Sequence, residues 1–329
     1  MKILNEIYKD KIFNYKIFDW YFKDAKIGIF DIETTGLSPK NNNLILSGFV
    51  LPLEDGTLLS KQIFAESIDD EPQVIDETLN ILNSLDCIVT YNGASFDVPF
   101  LQKRMSHYNI KNNYMPYDLD IYRVLKKYSP IAEFMPNLKQ TTVENFIGIW
   151  DKRTDQIDGG ISIDLYAKYL ISKDIELERQ ILLHNSDDVK QLYRLMEILK
   201  KSDFHRAMCA FGFPCGKDNE FIIEKIKLST KKLTVSGRKI GKPFFYESFD
   251  DESRCMIKFH GHKFDVEILL IKEDILTFID LEDFSMDPLQ FQNCEGIYDH
   301  YLVLATDKTP NPQGTSTFIK KLFERITLW

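Results

Sequence analysis

Asp31 and Glu33 stand two residues apart in Ile27-Gly28-Ile29-Phe30-Asp31-Ile32-Glu33-Thr34-Thr35-Gly36, an apolar run that ends on two acids and a glycine. A strand alternates faces, so the two carboxylates share one face with Cα atoms about 7 Å apart, while Phe30 and Ile32 point into packing. Unpaired buried charge is costly. A divalent cation is the usual compensation, and the rest of the chain is read for its other ligands.

Two further stretches supply them. Tyr91-Asn92-Gly93-Ala94-Ser95-Phe96-Asp97 leaves a short strand and enters a helix. Gly93 permits a tight turn, and Asp97 sits where the helix dipole favours an acid. Taken alone, Asp97 reads first as an ordinary helix-start acid with Phe96 in the core. Downstream, His184 and Asp188 are four apart and share a helix face. The apolar stripe traced back from Leu199 through Leu195 and Leu192 meets Asp188 and then His184, with Asp187 off the stripe. A satisfied core histidine and a buried cap or ion pair are the plainer accounts of these two. Asp31, Glu33, Asp97 and Asp188 together make four carboxylates, and the motifs hold no lysine or arginine. Two Mg2+ or Mn2+ ions resolve the repulsion, since oxygen donors suit hard cations, and such a pair clamps a phosphodiester for in-line attack.

The elements that must position these groups follow from periodicity. After the first strand, Leu44–Leu51 and Thr57–Phe64 are strands around a turn at Glu54-Asp55-Gly56, which makes an antiparallel meander. Helix Asp70–Leu85, strand Cys87–Tyr91 and helix Val98–His107 come next. Leu119–Tyr128 and Leu138–Ile147 read as helices, Trp150–Gly160 as a polar loop, and Asp164–Leu170 and Ile175–Lys201 as helices. The fold class is α/β: a mixed sheet, antiparallel meander plus parallel strands, flanked by helices. Residues 1–25 are aromatic and basic and read as a helical arm packed on this domain, 26–201. Residues 202–216, with Gly212, Pro214 and Gly216, read as a linker. Residues 217–329 read as a smaller β-rich domain closed by a helix at Thr317–Ile326.

A net charge of −9 argues against a protein that coats polyanions along its whole surface, but not against a nuclease with a basic groove. Lys217–Lys242 holds eight Lys/Arg against three acids and is a candidate strip for a phosphate backbone, or a solvated face. Five scattered cysteines without a CxxC read as free thiols of a cytoplasmic protein. His205, Cys209 and Cys215 match no usual zinc spacing. The N-terminus has no signal-peptide core, and no run approaches a membrane span.

Asp31-Ile32-Glu33-Thr34, Asn92-x-x-x-Phe96-Asp97 and His184-x-x-x-Asp188 resemble the three motifs of the DEDD, or DnaQ-like, 3′–5′ exonuclease superfamily, whose fold is RNase H-like. The second motif is similar to that of proofreading domains in family B DNA polymerases. The wider frame, Gly159-Gly160-Ile161 ahead of Tyr166 and then His184-Asn185 and Asp188-Val189, most resembles the YprB-type exonucleases. The resemblance covers roughly residues 26–201. It departs at one point: the superfamily pairs Tyr-x-x-x-Asp or His-x-x-x-x-Asp, and this chain sets a histidine at the tyrosine spacing. Pairing His184 with Asp187 fits neither branch.

The resemblance implies metal ligands Asp31, Glu33, Asp97 and Asp188, two divalent ions, and catalytic roles for His184 and Glu33, with His184 accepting or orienting the proton of the attacking water. It implies release of nucleoside 5′-monophosphates from a single-stranded 3′ end of DNA or RNA. Thr34, Thr35, Gly36, Leu37, Asn92 and Phe96 are the candidate substrate contacts, each also readable as turn or core. The competing class is an inactive or weak module on the same fold that binds nucleic acid or protein. A HAD-type phosphatase needs Asp-x-Asp, and Glu33 stands in the second place.

Overall fold

The computed structural model describes residues 1–112, 114–149, 153, 159–251, 254–307 and 309–326. The chain divides into two units, Met1–Tyr15 with Lys26–Ser202, and Lys16–Ala25 with Asp203–Trp329.

In the first unit β1 (Lys2–Tyr8) is an edge strand. After α1 (Lys16–Phe22), which belongs to the second unit, come β2 (Ile27–Thr34), β3 (Leu44–Pro52) and β4 (Leu58–Phe64). The turn between β3 and β4 is held by Thr57, whose amide and hydroxyl both donate to Asp55. Then follow α2 (Glu71–Leu82), β5 (Cys87–Thr90), α3 (Asp97–His107), β6 (Tyr117–Asp120), α4 (Ile121–Tyr128), α5 (Gln140–Ile147), α6 (Gly159–Ser172) and α7 (Ile175–Leu195). The sheet runs β1-β4-β3-β2-β5-β6. The first four strands are antiparallel, and β2-β5-β6 are parallel. This is the expected α/β architecture of RNase H-like type.

Helices cover both faces of this sheet. On one, the Thr78 hydroxyl of α2 donates to Ser47 of β3 at 2.8 Å. On the other, Asn185 of α7 lies against Gly48, the next residue of β3. Between the layers Phe30, Phe64, Val74, Ile75, Phe100 and Ile181 are buried. Each such side chain contributes about 1.5–3 kcal/mol of burial free energy.

In the second unit α8 (Phe204–Phe211) and β7 (Phe213–Cys215) precede β8 (Phe221–Leu228), β9 (Lys232–Lys239), β10 (Phe244–Asp250), β11 (Cys255–Gly261) and β12 (Lys263–Leu269). These strands form an antiparallel sheet in the order β10-β11-β12-β9-β8-β7. A second sheet joins β13 (Ile271–Glu273), β14 (Leu276–Asp280), β15 (Ile297–Tyr298), β16 (Tyr301–Thr306) and β17 (Thr309–Pro310), and α9 (Pro312–Ile326) closes the chain. Its core is aromatic: Tyr21 packs on Phe213 with ring centroids 5.1 Å apart, and Phe264 on Phe323 at 4.9 Å.

Three local readings change, and a fourth lies mostly outside the described residues. Residues 1–25 are not one helical arm: β1 pairs along β4 from Lys2–Phe64 to Tyr8–Leu58, and α1 carries Phe18, Tyr21 and Phe22 into the second unit's core. Residues 202–216 are not a linker but α8 and β7. Residues 117–120 are strand β6, which a four-residue length hid in front of α4. The loop expected at Trp150–Gly160 lies outside the described residues except for Arg153 and the start of α6 at Gly159. Among the described residues no helix is long and apolar enough to cross a membrane.

Candidate active site

β2 carries the first two acids. Asp31 lies opposite Gly48 of β3, and Gly48 opposite Gln62 of β4, so three positions form one row across the sheet. Only glycine leaves room at the middle of that row: a Cβ on Gly48 would come within 2.1 Å of Asn185 Oδ1. The Asn185 side chain lies in that space. Its Nδ2 donates to Asp31 Oδ2 at 3.0 Å, and its Oδ1 accepts from Gln62 Nε2 at 3.0 Å. Gln62 also donates to the carbonyl of Leu182 on the same helix at 2.8 Å. The neighbouring Glu33 shares Asp31's face, and a register shift immediately after it moves the pairing from Glu33–Leu46 to Thr34–Leu44, with Ile45 the extra residue on β3.

α7 brings the histidine. His184 Nε2 lies 3.7 Å from Glu33 Oε1 and 3.4 Å from Asp188 Oδ2. One donor atom from each of Glu33, His184 and Asp188 falls within 4.8 Å of the others. Asp31 and Asp97 are not members of that tight group. Asp97, the first residue of α3, accepts from the Ile32 amide at 3.1 Å, between the two acids of β2. β5 pairs with β2 only as far as Ile29, which leaves that amide for Asp97. Asp187, expected off the buried stripe, is itself buried, as are Asn185 and Ser186, because α7 is covered on more than one side at this level.

Burial raises all four carboxyls. Glu33 is pushed up to about 7 by burial, against the pull of His184. Asp97 is likewise pushed up to about 7 by burial. Burial, with the charges of Asp97, Asp188 and Glu33, lifts Asp31 well above the usual carboxylate range. Burial also raises Asp188, with His184 and Arg153 opposing.

Arg153 changes the charge balance expected from the motifs. Its Nη2 lies 2.6 Å from Asp188 Oδ1 and 2.9 Å from Oε1 of the fully buried Glu144 on α5. Neither residue belongs to a motif, and no local spacing marks them. Asn185 escaped for another reason: the i, i+4 walk from His184 to Asp188 steps over it. Asp118 and Asp120, hidden by the missed strand, add to the negative charge near Asp97: Asp120 helps to raise Asp97, and Asp97 helps to raise Asp118. Asp118 accepts from the Thr90 hydroxyl at 2.7 Å, and Asp120 from the Asn92 amide at 2.9 Å.

The candidate substrate positions divide. Thr34 and Gly36 bond to one another, and Thr35 Oγ1 accepts from the Asn43 amide at 2.9 Å, so these polar groups build the turn after β2. Leu37 is 81% exposed. The tight turn expected at Gly93 draws its left-handed backbone from Asn92, at φ 65°. Gly93 serves close packing instead, since a Cβ there would come within 2.4 Å of Thr90. Phe96 packs on Phe100 at 5.5 Å and is partly exposed. In the second unit His205 Nδ1 contacts the Tyr21 hydroxyl at 3.0 Å, and Cys209 Sγ the Pro312 carbonyl at 3.3 Å.

A mixed sheet with helices on both faces and an acid-and-histidine centre over its middle strands defines an RNase H-like domain. The chain matches the sequence model of the RNase H superfamily over residues 29–200 and belongs to that superfamily. It is 32% identical over 109 residues to a PolC-type DNA polymerase III of Mycoplasma genitalium, a match over 27% of this chain and 7% of that protein's length. It is 25% identical over 174 residues to an uncharacterised protein of Methanocaldococcus jannaschii, covering 52% of this chain and 93% of that one. Among solved structures it is similar to the family B DNA polymerase of Pyrobaculum calidifontis, at 18% identity and TM-score 0.44, over 54% of this chain and 24% of that chain.

Proposed function

We propose that the chain is a metal-dependent 3′–5′ exonuclease of the DEDD type, related to the YprB-type enzymes, that hydrolyses single-stranded DNA or RNA from its 3′ end to nucleoside 5′-monophosphates. The observation that carries this reading is the group of Glu33, His184 and Asp188, with donor atoms within 4.8 Å of one another and Asp31 and Asp97 braced beside it. The proposed ligands are carboxylate oxygens, which suit Mg2+ or Mn2+, and the imidazole beside them is left for proton transfer. The raised carboxyls add support, since the four acids remain raised even with Arg153 beside Asp188. Asp31, Glu33, Asp97 and Asp188 are the proposed metal ligands.

Bound divalent ions would make water a better nucleophile and offset charge on the phosphate. The remaining work falls to the side chains. Asn185 and the Ile32 amide fix Asp31 and Asp97 in orientation before substrate arrives. His184 Nε2, between Glu33 and Asp188, accepts a proton from the attacking water. The water oxygen bonds to phosphorus, the bond from phosphorus to the 3′ oxygen breaks, and that oxygen gains a proton. Thr34, Thr35, Gly36, Leu37, Asn92 and Phe96 are proposed to line the terminal nucleotide. Five free cysteines support a reducing, cytoplasmic setting.

One observation favours a second reading, a module that binds nucleic acid or protein without turnover. Arg153 already supplies positive charge to Asp188. Cleavage of 5′-labelled single-stranded DNA and RNA of matched sequence, with Mn2+, Mg2+ or EDTA and beside Asp31→Ala, separates the two. A metal-dependent ladder shortening from the 3′ end, absent in the variant, supports the exonuclease. Binding without cleavage supports the module.

A further inference from the structure

We propose that the solvent face of the second unit's larger sheet is a stacking platform for single-stranded nucleic acid. This rests on the nucleic-acid reading above for its class of ligand and adds a surface outside the acid centre.

The face follows from strand register. Alternation sends Leu233, Val235, Ile257, Phe259, Phe264, Val266 and Ile268 into the core. The residues between them therefore face solvent. Phe245, His260, Lys263 and Arg238 stand opposite one another across β10, β11, β12 and β9. The next row is Glu247, Lys258, Asp265, Ser236 and Lys225, and the third is Phe249, Met256, Glu267, Thr234 and Lys227. Phe245 is 67% exposed and Phe249 59%. Four residues apart on one strand, they are about 13 Å apart along the face. The Phe245 ring stands edge-on to His260 at 5.2 Å, which holds it upright beside a basic row.

Charge selects the occupant. Lys258 pairs with Glu247 at 2.6 Å, Lys232 with Glu267 at 2.8 Å and Arg238 with Glu224 at 3.0 Å. Lys225, Lys227 and Lys263 make no ion pair among the described residues. With Asp265 as the one further acid in these rows, the face is cationic on a chain of net charge −9. Exposed aromatic rings on β10, with unpaired Lys263 two strands across the face on β12 and Lys225 and Lys227 four strands across on β8, suit bases stacked at one edge and a phosphate backbone that crosses the sheet. β10 is an edge strand, and Glu247 and Asp250 on it oppose strand addition by a second copy.

The test is fluorescence anisotropy of labelled single-stranded DNA and RNA with the full chain in EDTA, so that binding is read without turnover. Phe245→Ala and Phe249→Ala are each expected to weaken binding about tenfold, as loss of one stacked base does. Replacing Lys225, Lys227 and Lys263 by Gln is expected to reduce the slope of log affinity against log salt by about 2. Wild-type protein that fails to bind, or variants that all bind as wild type does, would overturn the platform. So would a wild-type dimer in sedimentation that Phe245→Ala with Phe249→Ala dissolves, which would assign the face to a second copy. Metal-dependent cleavage is scored separately: binding retained without cleavage counts against the nuclease alone, and cleavage retained with unaltered variants counts against the platform alone.

Discussion

Arg153 Nη2 lies 2.6 Å from Asp188 Oδ1, while the other oxygen of that carboxylate faces His184 Nε2 at 3.4 Å. Asp188 is thus divided, one oxygen held by a guanidinium and one turned to the acid centre. Glu144 completes the arrangement by accepting from Arg153 Nε at 3.1 Å and Nη2 at 2.9 Å. Removing one member of a buried charge network strands the others. Arg153→Ala is therefore expected to destabilise the chain by about 3 kcal/mol. Pairing it with Glu144→Gln should recover part of that loss. Urea unfolding of the two singles and the double reads the coupling, and strict additivity would break the argument.

Asp31→Asn separates stability from chemistry. The amide oxygen can still accept from Asn185, while one charge leaves a cluster in which burial and three other acids press on Asp31. The variant should melt higher than wild type in EDTA, by about 2–4 °C for each kcal/mol relieved. Added Mn2+ should raise the wild-type melting temperature more than that of the variant, and the variant should be inactive. A variant that melts lower in EDTA would show that the acids do not strain the metal-free fold.

Gly48→Ala tests the Asn185 brace without touching an acid. The added methyl meets Asn185 Oδ1, so the amide must swing away from Asp31. Loss of an outer contact of this kind costs roughly 10–100-fold in metal affinity. Mn2+ titration by calorimetry, with Asn185→Ala as comparison, should give falls of similar size for both variants.

Glu71 anchors the segment that follows β2. It is fully buried, and Arg104 grips it with Nε at 2.7 Å and Nη2 at 2.6 Å. It also accepts from the Leu44 amide at 2.8 Å, while Arg104 Nη1 reaches the Pro39 carbonyl at 3.1 Å. Burial alone would raise this carboxyl, but Arg104, the Leu44 amide, Asn43 and Tyr108 together hold it below the usual glutamate range. A depressed acid stabilises the fold fully above its unfolded value, about 4.3, and loses that contribution as pH falls through the lower folded value. Wild-type stability should fall below about pH 4.3. Glu71→Gln should be less stable at pH 7 and flatter in that acid window, as read by denaturation at a series of pH values.

The parts of the site legible in the sequence were those set by local periodicity. Two-residue alternation placed Asp31 and Glu33 on one face, and four-residue spacing brought His184 and Asp188 to one side of α7. Asn185, Gln62, Glu144 and Arg153 meet these residues only through tertiary packing, which leaves no local pattern. The linker reading of 202–216 rested on glycine and proline. Gly212 is there because β8 runs so close that a Cβ would lie 1.8 Å from the Ile223 carbonyl oxygen, and its φ of 83° suits glycine alone. Dense contact and flexible chain use the same residue for opposite reasons.

The path of the N-terminal segment constrains how the molecule can be taken apart. The backbone enters the second unit at Lys16, returns to the first at Lys26 and leaves again at Asp203. No single cut yields two intact halves. A fragment starting at Lys26 would lack β1 and bare the β4 edge, an invitation to aggregation. A fragment starting at Asp203 would lack Tyr21, whose ring packs on Phe204 and Phe213. During synthesis some 180 residues, the length of Lys23–Ser202, separate α1 from Asp203, where the rest of its own unit begins. The first unit can be complete while the second is still one short helix.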